Sequence, residues 1–276
     1  MSTRAPGMIP GPDEIYAIHE ERAAGLTPRQ IGARHELSGV TVSQFLRPRT
    51  NTTLPTPYDL STNGDGASLA VPMYWLGFIT ASGRASHRSA PHTVVLSLDP
   101  GDLEFVQTLG RDLLRTHASY EFCHSSHDGH QVYIRERDLG ESVIQWGVTT
   151  DPREAALPLD YIPTVALPHF VRGLLEGQMR HPPFGGRSRE SAMPSPRLQR
   201  LSLPGSPLFV EALRRRLRQT SEKLEGTVEA TDGVGALLTF RGPDVDALLR
   251  YAYRNPLRSS PRAGKFVKAF ATTASS

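Results

Sequence analysis

The chain has 276 residues, 38% of them apolar and 21% charged, with a formal net charge of +3. That length holds one large domain or two ordinary ones, and the balance suits a soluble globular protein; no apolar run approaches the ~20 residues that a helical bilayer span needs. A lone cysteine, Cys123, excludes an intrachain disulfide framework and fits a reducing cytoplasm, and the opening residues Met1–Gly7 lack the apolar core of a secretory signal.

Residues 12–47 carry a compact helical pattern. Ile15, Ile18 and Ala23 share one face of a first helix that begins at Asp13 and stops at Gly25. Thr27 is placed as the N-cap of a second, with Pro28 at its first position and Gln30 at capping-box spacing. After a turn over His35–Gly39, Ser38 leads into a third helix with Val42, Phe45 and Leu46 available for burial. This unit resembles a helix-turn-helix of the resolvase or sigma-like kind, in which the third helix lies in the major groove. Its base-reading candidates are Thr41, Ser43 and Gln44, with Arg47 and Arg49 reaching phosphates. Residues 49–71, rich in Pro, Gly and polar side chains, have the composition of a linker joining two modules.

Beyond the linker come two similar apolar stretches, Trp75–Gly83 and Val171–Met179. Gly77 and Gly173 lie 96 positions apart, as do Ala81 and Gly177. Each stretch sets small residues four apart on one helical face. Glycine within a helix costs about 1 kcal/mol relative to alanine, so the repetition asks for a packing reason: two helices whose backbones touch. Between and after them, the pattern predicts a strand over Thr93–Leu98 and a helix over Asp102–Leu114. A hairpin, Ser119–Cys123 with Gln131–Arg135, then precedes a helix over Asp138–Trp146. The second half repeats the order with a strand at Arg197–Leu203, a helix at Pro207–Gln219, strands at Gly226–Ala230 and Ala236–Arg241, and a helix at Pro243–Tyr253. A strand expected within 181–196 meets Pro and Gly interruptions that favour a loop. Charge is uneven: residues 186–276 hold sixteen Arg or Lys against eight Asp or Glu, a footprint suited to a phosphate-facing surface.

With its flanks Tyr161-Ile162-Pro163, His169–Gly173, Leu248–Tyr253 and Arg262–Phe266, the repeated stretch resembles the LAGLIDADG homing endonucleases, in their single-chain form with two pseudo-symmetric halves. The resemblance implies an α+β fold: two αββαββα repeats forming a DNA-binding saddle, preceded here by a small all-α helix-turn-helix domain. The boundaries are then 1–48 for the helix-turn-helix, 49–71 for the linker and 72–276 for the LAGLIDADG-like domain, its repeats spanning 72–168 and 169–276. The implied DNA-facing residues are Arg84, His87, Arg88, Arg135, Arg187, Arg189, Arg197, Arg200 and Arg241. Lys265 stands where the family carries a basic residue near its active site, with Arg153 as its counterpart in the first half.

The family places an acidic metal ligand at the eighth motif position. Here Ser82 and Gln178 stand there. Mg²⁺ wants anionic oxygen ligands, and neither a hydroxyl nor an amide supplies the charge for two-metal phosphoryl chemistry. Glu176, at the sixth position, is rotated about 200° from Gln178 along a helix. The expectation is therefore a site-specific double-stranded DNA binder without catalytic residues, cofactor or bound metal, monomeric, cytoplasmic and nucleoid-associated, acting in transcription regulation. Certain sporulation regulators pair such a domain with a helix-turn-helix, in the opposite order. Two alternatives stay open: a Mg²⁺-dependent endonuclease with displaced ligands such as Glu176, and a protein-interaction scaffold. The run Cys123–His130 holds possible zinc ligands, but crowded on one hairpin tip rather than in two separated pairs it reads as a polar turn.

Overall fold

Three short helices, each stopped and started by local chemistry, open the chain: α1 (Pro12–Ala23), α2 (Pro28–Arg34) and α3 (Gly39–Phe45). In this computed structural model the described residues are 10, 12–47, 53–63, 66–86, 93–98, 103–114, 119–125, 129–148, 157–178, 200–220, 224–231 and 235–254. Gly25, at a φ of 93°, turns the chain out of α1. The Thr27–Gln30 capping box opens α2, with the Gln30 N–H donating to Thr27 Oγ1 at 3.3 Å and the Thr27 N–H to Gln30 Oε1 at 2.9 Å. Ser38 Oγ caps α3 by accepting from the Thr41 N–H at 3.0 Å. Ile18, Ile31 and Val42 are fully buried in a small core of their own, with Leu26, Leu37 and Leu46 packed around them.

The segment expected to be a linker contributes instead to the main core. Its prolines and glycines punctuate a helix, α4 (Pro57–Asn63), and a 3-10 turn over Gly66–Leu69. Leu54, Leu60 and Leu69 are buried among the core residues of the large domain. The Trp146 indole N–H donates to the Pro55 carbonyl at 2.7 Å, and the Thr53 N–H to the Leu113 carbonyl at 2.7 Å. Thr56 and Asp59 cap α4 reciprocally. This packing draws the N-terminal helices in. His19 of α1 stacks on Tyr58 at 3.8 Å, and the Tyr161 hydroxyl donates to Asp13 at 2.5 Å, a bond that with burial pushes its pKa up to about 12.

Helix α5 (Ala70–Ser82) follows, buried almost throughout, and runs straight into β1 (Gly83–Ser86). β2 (Thr93–Leu98), α6 (Leu103–Leu113), β3 (Ser119–Ser125), β4 (Gly129–Arg135) and α7 (Arg137–Gln145) complete the first half of the large domain. The second half contains α8 (Leu167–Gln178), β5 (Arg200–Gly205), α9 (Pro207–Thr220), β6 (Thr227–Ala230), β7 (Ala236–Arg241) and α10 (Pro243–Tyr253). The fold is α+β, with two antiparallel sheets among the described residues, ordered β1-β2-β4-β3 and β5-β7-β6. Alternation gives each sheet one apolar face. Ala85, Val94, Leu96, Val132 and Ile134 from the first sheet, and Leu201, Leu203, Leu238 and Phe240 from the second, lie in one continuous core.

At the centre of that core α5 and α8 pack in parallel, backbone against backbone. A Cβ on Gly77 would fall 2.0 Å from the Phe170 carbonyl oxygen, and one on Gly173 would fall 1.9 Å from that of Tyr74. One on Gly177 would meet Phe78 O and Ala81 Cβ, each at 2.8 Å. Three helical positions therefore require glycine for close approach. Replacing Gly173 by Ala gains about 1 kcal/mol of helix propensity but overpacks a backbone contact, which typically costs about 1–3 kcal/mol and here involves unyielding main chain. The expected outcome is a Gly173→Ala variant destabilised by about 1–2 kcal/mol net, read as a lower urea midpoint with unchanged slope.

Candidate nucleic-acid interface

The C-terminal ends of the paired helices bring Ser82 and Gln178 to the same end of the seam, beside the Ala81–Gly177 contact. Both are buried, at 6% and 7% exposure. The Ser82 hydroxyl donates to the Phe78 carbonyl at 2.8 Å, leaving a neutral oxygen as its remaining function. Donors of this kind do not fit a divalent cation, which wants carboxylate charge. Among the described residues no three His, Cys, Asp or Glu are grouped as a metal cage.

Glu176, the carboxylate of the second motif, is directed elsewhere. It is fully buried and accepts from the Tyr74 hydroxyl at 2.7 Å and from the Tyr253 hydroxyl at 3.2 Å. Burial and Glu176 raise the Tyr253 pKa, so the phenol stays protonated and keeps donating. Arg172, one turn earlier and also fully buried, donates through Nε to the Ala252 carbonyl at 3.0 Å near the end of α10 and lies 5.5 Å over the Tyr253 ring. Burial lowers its pKa while Glu176 opposes that shift. This cluster ties α10 to the seam; it is structural chemistry, turned away from the helix ends.

The sheets present arginines on the faces opposite the core. In the first, Arg84 pairs across from Val95 and Arg135 ends β4; both are exposed. Arg84 Nη2 lies 3.4 Å from Gln131 Oε1, which also accepts from the Tyr133 hydroxyl at 2.9 Å. In the second sheet Arg200 and Arg241 are direct cross-strand partners, and both reach one carboxylate, Glu229. Arg49, His87, Arg88, Arg153, Arg187, Arg189, Arg197 and Lys265, along with the loop expected at 181–196, lie outside the described residues. So do the side chains of the Cys123–His130 run.

In α3, the Thr41 hydroxyl is 2.7 Å from Ser38 Oγ and the Ser43 hydroxyl donates to the Gly39 carbonyl at 2.8 Å. Both hydroxyls are engaged within their own helix, and the Gln44 amide is half-exposed. Arg47, expected to reach phosphates, faces protein instead: Asp138 and Glu141 on α7 both bind its Nη2. Burial opposes its charge, but Glu141 and Asp138 together raise its pKa. The partners that sequence reasoning missed, Glu229, Gln131, Tyr133, Asp138 and Glu141, become visible only through strand register and tertiary docking. The strand expected at Gly226–Ala230, observed as β6, was the available hint for Glu229.

No family model and no curated protein matches the sequence. Solved structures do. One is the N-terminal LAGLIDADG domain of DUF199/WhiA, 16% identical, aligned over 76% of this chain and 92% of that one with a TM-score of 0.43. Another is full-length DUF199/WhiA from Thermatoga maritima, 16% identical over 79% of this chain and 72% of that one, with a TM-score of 0.42.

The polar cluster carries a titratable ring. Burial, then Arg172 and Arg254, lower the His169 pKa from 6.5 to about 4, and Arg172 Nη2 lies 3.1 Å from His169 Nδ1. A histidine held neutral in the folded state destabilises the fold wherever the unfolded chain is already protonated. Its contribution is lost as pH falls from about 6.5 to about 4. His169→Gln keeps an acceptor for Arg172 without titrating. Relative to that variant, the wild type should lose about 1–2 kcal/mol of unfolding free energy across this window, after discounting for solvent screening at the half-buried ring. Parallel urea titrations at pH 7 and pH 4.5 check it; equal losses in both proteins would count against it.

Proposed function

We propose that this protein binds a specific double-stranded DNA site through a LAGLIDADG-derived scaffold that does not cleave, and that it acts as a transcription regulator. The carrying observation is the seam: a glycine-dependent parallel helix pair is kept, while its shared end holds neutral Ser82 and Gln178. In this reading 72–168 and 169–276 are degenerate repeats of one unit working as a monomer, and the arginine-bearing sheet faces follow the major groove. Arg84 and Arg135 serve one half-site; Arg200 and Arg241 serve the other, with Arg88, Arg197 and Lys265 adding positive charge. Helices α1–α3 form a helix-turn-helix whose third helix offers Thr41, Ser43 and Gln44 to base edges, with Arg49 at phosphates. Arg47 is assigned to docking, because its charge is already matched by Asp138 and Glu141.

The reading requires no Mg²⁺ and no membrane; no described helix is long and apolar enough to cross one. It places the protein with the nucleoid. Selection of duplexes from a random pool, followed by fluorescence-anisotropy titration, tests it. Six to ten phosphate contacts would weaken binding by about 10³–10⁵-fold between 50 and 200 mM salt. The selected duplex should stay intact with Mg²⁺ or Mn²⁺. Double-strand cleavage would restore the endonuclease reading, and failure to retain any duplex at low salt would favour a protein-interaction scaffold.

A further inference from the structure

The outer face of the second sheet holds two arginines that charge alone should drive apart. Arg200 on β5 and Arg241 on β7 are directly opposed in the register, an arrangement of like charges that weakens a sheet. Glu229 on β6 takes both: Arg200 Nη2 donates to Oε2 at 2.6 Å and Arg241 Nη2 donates to Oε1 at 2.8 Å. The two arginines keep 52% and 64% of their side-chain surface exposed, against 31% for the carboxylate between them. Exposed ion pairs of this kind add little to stability, so the arrangement calls for another use.

We propose that Glu229 is a specificity-determining buttress that aims Arg200 and Arg241 at guanine. Each guanidinium has five N–H donors in a rigid fork and gives one to Glu229, so four remain on each for an outside acceptor. A long side chain that would otherwise sample many rotamers is held at its far end. The carboxylate also decides which acceptor suits the pair. A phosphate approaching between the arginines meets a fixed negative charge, whereas the O6 and N7 edge of guanine is a neutral double acceptor matched to one guanidinium fork. The first sheet differs: Arg84 meets the neutral amide oxygen of Gln131 at 3.4 Å, a weaker hold without repulsion toward phosphate. The halves thus divide the work, with guanine reading placed on the second.

This inference rests on the DNA-binding reading, and the experiment separates their failures. Duplexes are selected from a random pool with the full-length wild type, Arg200→Ala, Arg241→Ala, Glu229→Ala and Glu229→Gln, and affinities are measured against salt. Wild type should select guanine at one or more positions. Those same positions should lose about 5- to 150-fold discrimination in both arginine variants and in Glu229→Ala, although Glu229→Ala adds net positive charge and should bind random duplex more tightly. Glu229→Gln, which keeps an acceptor, should retain more guanine preference than Glu229→Ala. Unchanged guanine preference in Glu229→Ala, with wild-type circular dichroism, overturns the inference alone. A wild type that retains no duplex at 50 mM salt overturns DNA binding and the inference together.

Discussion

Everything in the large domain depends on main chain touching main chain. Where α5 crosses α8, the Phe170 and Tyr74 carbonyls occupy the space that side chains at Gly77 and Gly173 would fill. The contact lets two helices approach more closely than ordinary ridge-and-groove packing allows. It also sets their register, because the small residues recur at a helical spacing. With the helices registered, the polar side chains flanking them meet: Tyr74 from one helix, Arg172 and Glu176 from the other, Tyr253 from α10. A buried ionic cluster is tolerable only when its members are satisfied together. The glycines bring those members within reach of one another.

Among the described residues, the arginines of α9 and those of the sheets differ in their surroundings. Along α9, Arg214 pairs with Glu211, Arg215 with Asp160 and Arg218 with Glu225, and Arg216 donates to the Ile162 carbonyl. Arg215, Arg216 and Arg218 help attach the helix to its surroundings, while the Arg214 pair lies within the helix. The sheet arginines instead stand on faces opposite the core, where the cross-strand pattern brings them out together. The basic balance of residues 186–276 therefore mixes scaffold with surface, and composition could not divide them.

Much of the architecture was legible because it is local. Periodicity located β2, β7 and α10 at the observed limits, and the Thr27 cap needed only three residues of context. The glycine pair announced itself through repetition. The segment before α5 was misread because Pro and Gly suggest a tether, while its packing depends on Trp146, 91 positions from Pro55. The protein partners of Arg47 were illegible for the same reason: they lie 91 and 94 positions away. Glu229 lay in an expected strand, yet its two arginines are neighbours only once three strands are in register.

The docking of α1–α3 makes the N-terminal unit a braced extension of the large domain. Arg47 against Asp138 and Glu141, Asp13 against Tyr161, and His19 against Tyr58 hold it at three points. If the two units read DNA as proposed, the braced pair behaves as a ruler. The orientational freedom that a tether would surrender upon binding is already gone in the free protein. Tolerance for variable spacing is gone with it: each base pair inserted between two contacted segments displaces one by about 3.4 Å and rotates it by about a tenth of a turn. On the proposed DNA-binding reading, a protein built this way measures the distance between two stretches of sequence as strictly as it reads either of them.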